Sequence, residues 1–126
     1  MQYGFFDEKN REYVIERVDV PTSWTNYLGV EQSCAVVNQT AGGYLFHKSP
    51  EYHRMTRFRG NAVPMDRPGF DVYLRDGETK DYWSATWQPV GKPLDEADYS
   101  CRHGLSYSKY FSRYSEIETE MRLSIP

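Results

Sequence analysis

The clearest hydrophobic pattern of the chain lies at its end, where apolar and polar side chains alternate over residues 117–125. Successive side chains of a β-strand point to opposite faces, so this stretch predicts one amphipathic strand. Its apolar face needs a second layer to cover it, which favours a sheet packed on another sheet. One face carries Ile117, Thr119, Met121, Leu123 and Ile125, and the other carries Glu118, Glu120, Arg122 and Ser124.

The same period of two recurs in shorter stretches along most of the chain, and helical periodicity is weak throughout. Gly, Pro, Asn and Asp separate these stretches and predict turns. The pattern therefore predicts an all-β, antiparallel β-sandwich of eight or more strands. Further strands are expected within residues 11–18, 33–39, 40–48, 54–59 and both arms of a hairpin over 70–90, and loops within 21–29, 60–69 and 91–99.

The second arm of that hairpin, DYWSATWQPV at residues 81–90, holds two tryptophans four residues apart. Extended backbone would place Trp83, Ala85 and Trp87 on one side. Two indoles on one side suit either a flat platform for a sugar ring or a plug in an apolar core. The small alanine between them favours close packing of two sheets, so we expect core or interface packing for both tryptophans.

Composition narrows the classes of function. The 126 residues suffice for one domain with a modest core, and the formal net charge is -3. Aromatic residues make up 16% of the chain, with eleven tyrosines, which suits half-buried strands and is compatible with carbohydrate binding. Acidic residues outnumber basic ones, so nucleic acid is not an expected partner, although His53, Arg54, Arg57 and Arg59 cluster in sequence.

Cysteine usage and the lack of long apolar runs bear on location. Cys34 and Cys101 are far apart in sequence and fit no metal or redox spacing, so both are predicted to be reduced core thiols. The first ten residues show no apolar leader, and no run approaches the length of a membrane span. We therefore expect a cytoplasmic protein without a membrane partner.

No arrangement of residues in the sequence specifies catalysis. His47, His53 and His103 lack the spacing of a metal site, and no phosphate-binding loop or nucleophile elbow is present. His103 stands near Ser106 and Ser108, but no orienting acid of a hydrolytic triad is identifiable. Most aspartates stand in turns, and nothing selects a glycosidase pair. The residues by themselves favour a binding or interaction module.

Six segments, in order from residue 3 to about residue 125, carry a resemblance to a known family. They resemble the start of glycoside hydrolase family 94, the phosphorylases of β-linked disaccharides. WSATWQPV, LDEADY and RHGLSYSK are most similar to members that act on N,N′-diacetylchitobiose, with cellobiose phosphorylases next. The segments are YGFFDEKNREYVI at 3–15, WTNYLG at 24–29, AGGYLFHK at 41–48, TRFRGNAVPMDRPG at 56–69, YLRDGETKDYWSATWQPV at 73–90 and CRHGLSYSK at 101–109.

The resemblance implies a fold larger than this chain. Family members begin with an antiparallel, galactose-mutarotase-like super-sandwich. A linker and an (α/α)6 barrel follow, and the barrel carries the catalytic aspartate and the phosphate site. Residues 1–126 are then expected to be the N-terminal part of the sandwich, about its first half, without the barrel. The amphipathic strand at 117–125 is expected to belong to a larger sheet.

The resemblance also implies an activity. A β-linked disaccharide and inorganic phosphate give an α-sugar 1-phosphate and a monosaccharide, with no metal or organic cofactor, in a cytoplasmic homodimer. This part would contribute scaffold, dimer interface and cleft wall, and would be inactive alone. The alternatives are a stand-alone carbohydrate-binding module, with Trp83 and Trp87 as its platform, and a structural partner of a separately supplied enzyme remainder.

Six residues are the candidates for contacts with substrate, the barrel or a second subunit. A turn cap and a local salt bridge would equally explain the first two of them, and a structural hydrogen-bond network would explain the last two. The candidates are Asp66, Arg67, Trp87, Gln88, Arg102 and His103.

Overall fold

The computed structural model describes residues 2–57 and 69–126, and its regular elements in these ranges are all β-strands. The strands within each sheet pair antiparallel, which confirms the predicted all-β, antiparallel fold. The strands are β1 (Gly4–Asp7), β2 (Glu12–Ile15), β3 (Thr25–Leu28), β4 (Ser33–Asn38), β5 (Gly43–His47), β6 (Tyr73–Arg75), β7 (Tyr82–Ser84), β8 (Asp98–His103), β9 (Tyr107–Tyr114) and β10 (Ile117–Ser124).

Three sheets contain these strands. The largest has the order β1-β2-β8-β9-β10, the second has the order β3-β4-β5, and β6 pairs with β7 alone. The predicted amphipathic strand at the end of the chain is β10, which pairs with β9 along its whole length, from Ile117 opposite Tyr114 to Ser124 opposite Tyr107.

The core lies between the five-stranded and the three-stranded sheets. Ile15 and Cys101 are fully buried in one apolar cluster, and Tyr110 is 1% exposed beside them. Leu123 of β10 packs against this cluster and also against the buried cluster of the three-stranded sheet. The Tyr110 hydroxyl donates to the backbone oxygen of Asn38 at 2.9 Å. The two sheets are thus joined by apolar contact and by a hydrogen bond, as a sandwich requires.

The loop predicted within residues 21–29 was wrong in part, because Thr25–Leu28 forms β3 and pairs with β4. Leu28 faces the core at 1% exposure, whereas Tyr27 is 72% exposed on the other face. A strand with a single inward apolar side chain gives too short an alternation to be recognised. Pairing with a longer, strongly apolar neighbour decides its conformation. The N-terminal strand β1 is an addition that the pattern did not predict.

Two other expected boundaries also differ. The edge strand expected within residues 54–59 is reduced, over 54–57, to a single bridge between Arg54 and Phe46, and residues 58–59 lie outside the described ranges. The polar stretch 91–99 contains the start of β8 at Asp98, and its Ala97 and Tyr99 are buried. The linker predicted over 91–99 was therefore wrong at its end, because two buried residues separated by one aspartate give too short an alternation to indicate a strand.

The predicted hairpin is confirmed in its pairing but not in its length. β6 pairs with β7, and the Asp76 carboxylate accepts the backbone N–H of Glu78 at 2.7 Å in the turn. β7 ends at Ser84, whose hydroxyl donates to the Thr86 backbone oxygen at 2.7 Å and accepts from the Val90 N–H at 3.3 Å. These bonds close the chain into a local turn, which competes with strand pairing.

Both cysteines are free, and Cys101 is fully buried, as predicted for a core thiol. Burial raises the pKa of Cys101, so its thiol stays protonated. Cys34 is only half-buried on β4, because the core side of that strand belongs to Ala35 and Val37. No helix in the described ranges is long and apolar enough to cross a membrane.

Candidate functional site

The structure distributes the sequence-predicted candidates over separate places. Asp66 and Arg67 lie outside the described residues. Trp87 and Gln88 follow β7. Arg102 and His103 are the last two residues of β8, so their side chains lie on opposite faces of the five-stranded sheet.

Trp83 and Trp87 both pack into the protein. Trp83 is 1% exposed, and the Tyr114 ring meets it edge-on, with centroids 5.2 Å apart. Trp87 packs against the buried cluster around Tyr99, and its indole nitrogen donates to the Lys92 backbone oxygen at 3.1 Å. Trp83 therefore has no face for a sugar, which agrees with the expected core packing and contradicts the alternative in which both tryptophans form a sugar platform. A contact of Trp87 with substrate stays a prediction.

Gln88 belongs to the turn that follows β7. Its peptide bond to Pro89 is cis, and its backbone oxygen accepts the Thr86 hydroxyl at 2.6 Å. The neighbouring Asp81 carboxylate binds Lys92 Nζ at 2.7 Å and accepts the Tyr114 hydroxyl at 2.8 Å. The Lys92 hydrogen bond lowers the pKa of Asp81. This end of the hairpin is therefore held by polar contacts as well as by Trp83.

Arg102 takes part in an ionic network on the outer face of the five-stranded sheet. Its guanidinium lies 3.2 Å from the Glu12 carboxylate, and Lys109 Nζ lies 3.7 Å from the same group. The Tyr107 hydroxyl donates to Glu12 at 2.6 Å. Although it faces outward, Glu12 is 4% exposed. The Tyr107 hydrogen bond, supported by the two cations, lowers the pKa of Glu12.

Gly104 explains how Tyr107 reaches Glu12. A Cβ atom at Gly104 would lie 2.6 Å from the Tyr107 ring, closer than any side chain tolerates. Only glycine leaves room for the ring at this position of the β8–β9 turn. The glycine of the RHGLSYSK segment is thus required by packing around the buried carboxylate.

A row of cations crosses this outer face. Arg102 pairs with Lys109, and Lys109 pairs with Arg122, so three positive side chains lie on adjacent strands. Lys109 and Arg122 both lie over the Tyr107 ring, at 5.0 and 4.6 Å from its centroid. The adjoining cavity of about 730 Å³ is lined by charges of both signs, including Arg102 and Glu118, so it selects no ligand charge.

His103, on the inner face, joins the two sheets. Its Nε2 lies 3.0 Å from the Trp24 backbone oxygen, which only accepts, so Nε2 carries the proton. Its Nδ1 then accepts from the Ser108 hydroxyl at 2.9 Å, and Asn26 Nδ2 donates to that hydroxyl at 3.1 Å. Each polar atom has a partner in the neutral form. His103 therefore acts as a structural link in this chain, while a contact with another domain stays a prediction.

We expect the stability of the chain to fall as the pH drops below the ordinary pKa of histidine. Burial lowers the pKa of His103 from its model-peptide value of 6.5, so the unfolded chain binds this proton more readily. Stability is fully present above 6.5 and is lost as the pH falls toward the folded-state pKa. Urea unfolding between about pH 8 and about pH 5.5 measures the slope. The His103→Gln variant should have a clearly smaller slope, and an equal slope in both proteins would contradict the assignment.

A second cavity, of about 910 Å³, lies at the opposite end of the same sheet from the hairpin contact. Three rings line it, which we call the aromatic floor: Phe6, Tyr13 and Trp24. The Phe6 and Tyr13 centroids are 4.7 Å apart and those of Tyr13 and Trp24 are 5.7 Å apart, each pair edge-to-face. Leu105, 79% exposed, forms another wall. Of the three rings, Phe6 is exposed, whereas Tyr13 and Trp24 are half-buried.

Metal binding finds no support in the part of the chain that the structure describes. No group of three or more His, Cys, Asp or Glu side chains there is arranged to hold an ion. His47 and His53 do approach each other, with ring centroids 6.3 Å apart, but no third ligand joins them.

The family of the chain follows from comparison with known proteins. The family model described as glycosyl hydrolase 94, supersandwich domain, matches residues 11–126. The chain belongs to this family. The sandwich described above is therefore a glycosyl hydrolase 94 supersandwich, which confirms the family that the six segments predicted.

Curated relatives agree with this assignment. The chain is 59% identical, over all 126 residues, to the N,N′-diacetylchitobiose phosphorylase of Vibrio proteolyticus, and 57% identical to that of Vibrio furnissii. It is 30% identical, over 98% of its length, to the solabiose phosphorylase of Paenibacillus borealis. The chain spans 16% of the length of each of these relatives.

Two features of this glycosyl hydrolase 94 chain escaped sequence reasoning. The network around Glu12 joins residues about 90 positions apart, and only strand register brings them together. The aromatic floor joins β1, β2 and the residue before β3, of which only β2 was expected as a strand. The alternation of Glu12 and Val14 against Tyr13 and Ile15 was the available signal, since it places a carboxylate on the face opposite the core.

Proposed function

We propose that the chain is the N-terminal supersandwich segment of an inverting β-disaccharide phosphorylase that acts on N,N′-diacetylchitobiose. The supporting observation is the 59% identity over the entire chain to a protein of that name, against 30% to the solabiose phosphorylase. Since the chain spans 16% of these relatives, the activity is proposed for the whole protein and not for this segment alone.

In the proposed reaction a carboxylic acid protonates the glycosidic oxygen, while phosphate attacks the anomeric carbon from the opposite face. Phosphate takes the position that an activated water has in an inverting hydrolase. The products are an α-sugar 1-phosphate and a monosaccharide. The acid and the phosphate-binding groups belong to the barrel beyond residue 126, and the reaction needs no metal or organic cofactor. Preorganised cationic and hydroxyl groups there stabilise the charge of the phosphate.

The supersandwich segment contributes scaffold, dimer interface and cleft wall in a cytoplasmic homodimer. The six candidate residues are proposed to face the barrel, the substrate or the second subunit. Arg102 suits this role best among the described candidates, because its side chain is 39% exposed on the outer face of the five-stranded sheet. The β8–β9 turn beside it carries Leu105, which is 79% exposed. Exposed apolar side chains at such a turn favour contact with another surface.

A chimera tests this function. The N-terminal 16% of the Vibrio proteolyticus phosphorylase is replaced by these 126 residues, and release of sugar 1-phosphate from N,N′-diacetylchitobiose is measured. We expect activity within about tenfold of the parent enzyme, because a matching sandwich keeps the cleft in place. A version that lacks the segment should be inactive.

The matched control replaces the same 16% by the corresponding segment of the solabiose phosphorylase, which is 30% identical to this chain. That chimera should fold less well or lose most of the activity. Equal activity of both chimeras would show that the enzyme accepts this segment from a phosphorylase of either substrate type. A folded but inactive first chimera would contradict the proposal.

A further inference from the structure

The five-stranded sheet ends in a long strand whose second edge pairs with no other strand of the described residues. β10 is the last strand in the order of this sheet and pairs with β9 on one side only. Its eight residues therefore present backbone N–H and C=O groups along the other side. A long, regular edge of this kind is a template for pairing with a strand of another chain.

The core face of β10 is incompletely covered. Met121 and Leu123 are only half-buried, although both pack against the cluster around Ile15. Ile117, on the same face, is 43% exposed. A strand added beside β10 would continue this apolar face and cover these side chains.

The charges of β10 favour a second copy of the same strand as that neighbour. Two copies related by a two-fold axis pair antiparallel, and residues on one face then meet residues on the same face. With Met121 on the axis, Glu120 of each copy lies opposite Arg122 of the other, so each copy gains an opposite charge at both positions. On the core face, Thr119 then meets Leu123 of the second copy.

The neighbouring registers place like charges opposite each other. With Glu120 on the axis, its two copies face each other, even though Glu118 then meets Arg122. With Arg122 on the axis, the two guanidinium groups face each other, and with Thr119 on the axis, Glu118 meets Glu120. Like charges directly opposite each other destabilise a sheet. The charges of β10 therefore select the register centred on Met121.

The surroundings of Arg122 within one chain point the same way. On the β9 side it pairs with Lys109, which is also a cation. Its guanidinium lies over the Tyr107 ring, 4.6 Å from the centroid. Glu120 of a second copy would place a carboxylate on the other side of Arg122 and offset the repulsion by Lys109.

We propose that β10 is a self-association strand, through which two copies of this chain pair antiparallel about Met121. The five-stranded sheets of the two copies then form one continuous sheet. Backbone hydrogen bonds and the apolar face supply the affinity, and the pairs of Glu120 with Arg122 fix the register. The inference rests on this strand and its charges and not on the proposed function.

Sedimentation equilibrium of the 126-residue chain measures the association, and we expect a reversible dimer. Glu120→Arg and Arg122→Glu each replace both opposite-charge pairs by like-charge pairs, so each variant alone should raise the Kd of the dimer about tenfold. An equal mixture of the two variants should dimerise again, because each position then meets the opposite charge in the other variant. Circular dichroism checks that both variants fold, which is expected because Glu120 and Arg122 are exposed.

Glu118→Gln is the matched control, because Glu118 would lie opposite the uncharged Ser124 of the second copy, and it should leave Kd unchanged. A chain that stays monomeric up to about 0.1 mM would overturn the inference. A mixture of the two variants that stays monomeric would do the same, as would a dimer that neither variant weakens. In the chimera, an oligomeric state unaffected by both variants would assign this edge to a strand of the remaining enzyme and overturn the inference for the longer protein. The activity of the chimera tests the proposed function separately.

Discussion

Replacing Trp83 with alanine is expected to lower the free energy of unfolding of the chain by about 3–5 kcal/mol. Trp83 is among the largest fully buried side chains, at 1% exposure, and its ring packs edge-on against Tyr114 of β9. The small β6–β7 hairpin makes its contact with the five-stranded sheet here, so a cavity would separate the two. A loss of this size is a large share of the 5–15 kcal/mol that stabilise typical domains. Urea unfolding followed by circular dichroism measures it.

Two further variants show whether the loss of stability comes from the buried volume of the Trp83 ring. The Trp83 indole nitrogen has no hydrogen-bond partner in the described structure, so Trp83→Phe loses ring volume but no hydrogen bond and should cost clearly less than Trp83→Ala. Tyr82→Ala changes the preceding residue of the same strand, which is 57% exposed, and should stay within about 0.5 kcal/mol. A Trp83→Ala protein as stable as Tyr82→Ala would show that the hairpin does not depend on this contact.

The same variant bears on function, because a sugar platform and a core residue fail in different ways. Replacing a platform tryptophan would weaken ligand binding and leave the fold intact, whereas Trp83→Ala should first lower the stability of the fold. Any loss of sugar binding in Trp83→Ala is then expected only where the protein unfolds.

How far the sequence predicts the fold depends on how many residues alternate in each strand. The eight residues of β10 alternate throughout, and the pattern predicts that strand nearly to the residue. β3 has four residues and one buried apolar side chain, so its conformation is decided by pairing with β4. Beyond Ser84, a serine hydroxyl closes a local turn, and the sequence alternation of Trp83 and Trp87 then has no counterpart in the backbone.

The candidate site was less accessible to sequence reasoning, for a physical reason. Motifs report residues that are close in sequence, and Arg102 and His103 were found in this way. Their partners, Glu12 and Trp24, come from other strands and loops and become neighbours only after the sheets form. Strand register, which sequence alone does not specify here, therefore determines what each candidate can do.

Replacing Glu12 with alanine is the second large effect that we expect, a loss of about 2–3 kcal/mol in the free energy of unfolding. Removing the carboxylate leaves the Tyr107 hydroxyl, Arg102 and Lys109 without their common acceptor. The loss stays below that of a fully buried ion pair, because the Arg102 and Lys109 side chains are 39% and 27% exposed and water can reach them.

The matched control is Glu118→Ala, which breaks the exposed pair with Arg113, where the two side chains are 76% and 64% exposed. It should change stability by less than about 0.5 kcal/mol. The pH dependence gives a second readout, since the pKa of Glu12 is lowered from 4.5 in the folded chain. Its contribution is present above that value and is lost as the pH falls through the folded-state pKa. Glu12→Gln should therefore flatten the acid side of the stability profile, and an unchanged profile would mean that the charge of Glu12 does not stabilise the sheet.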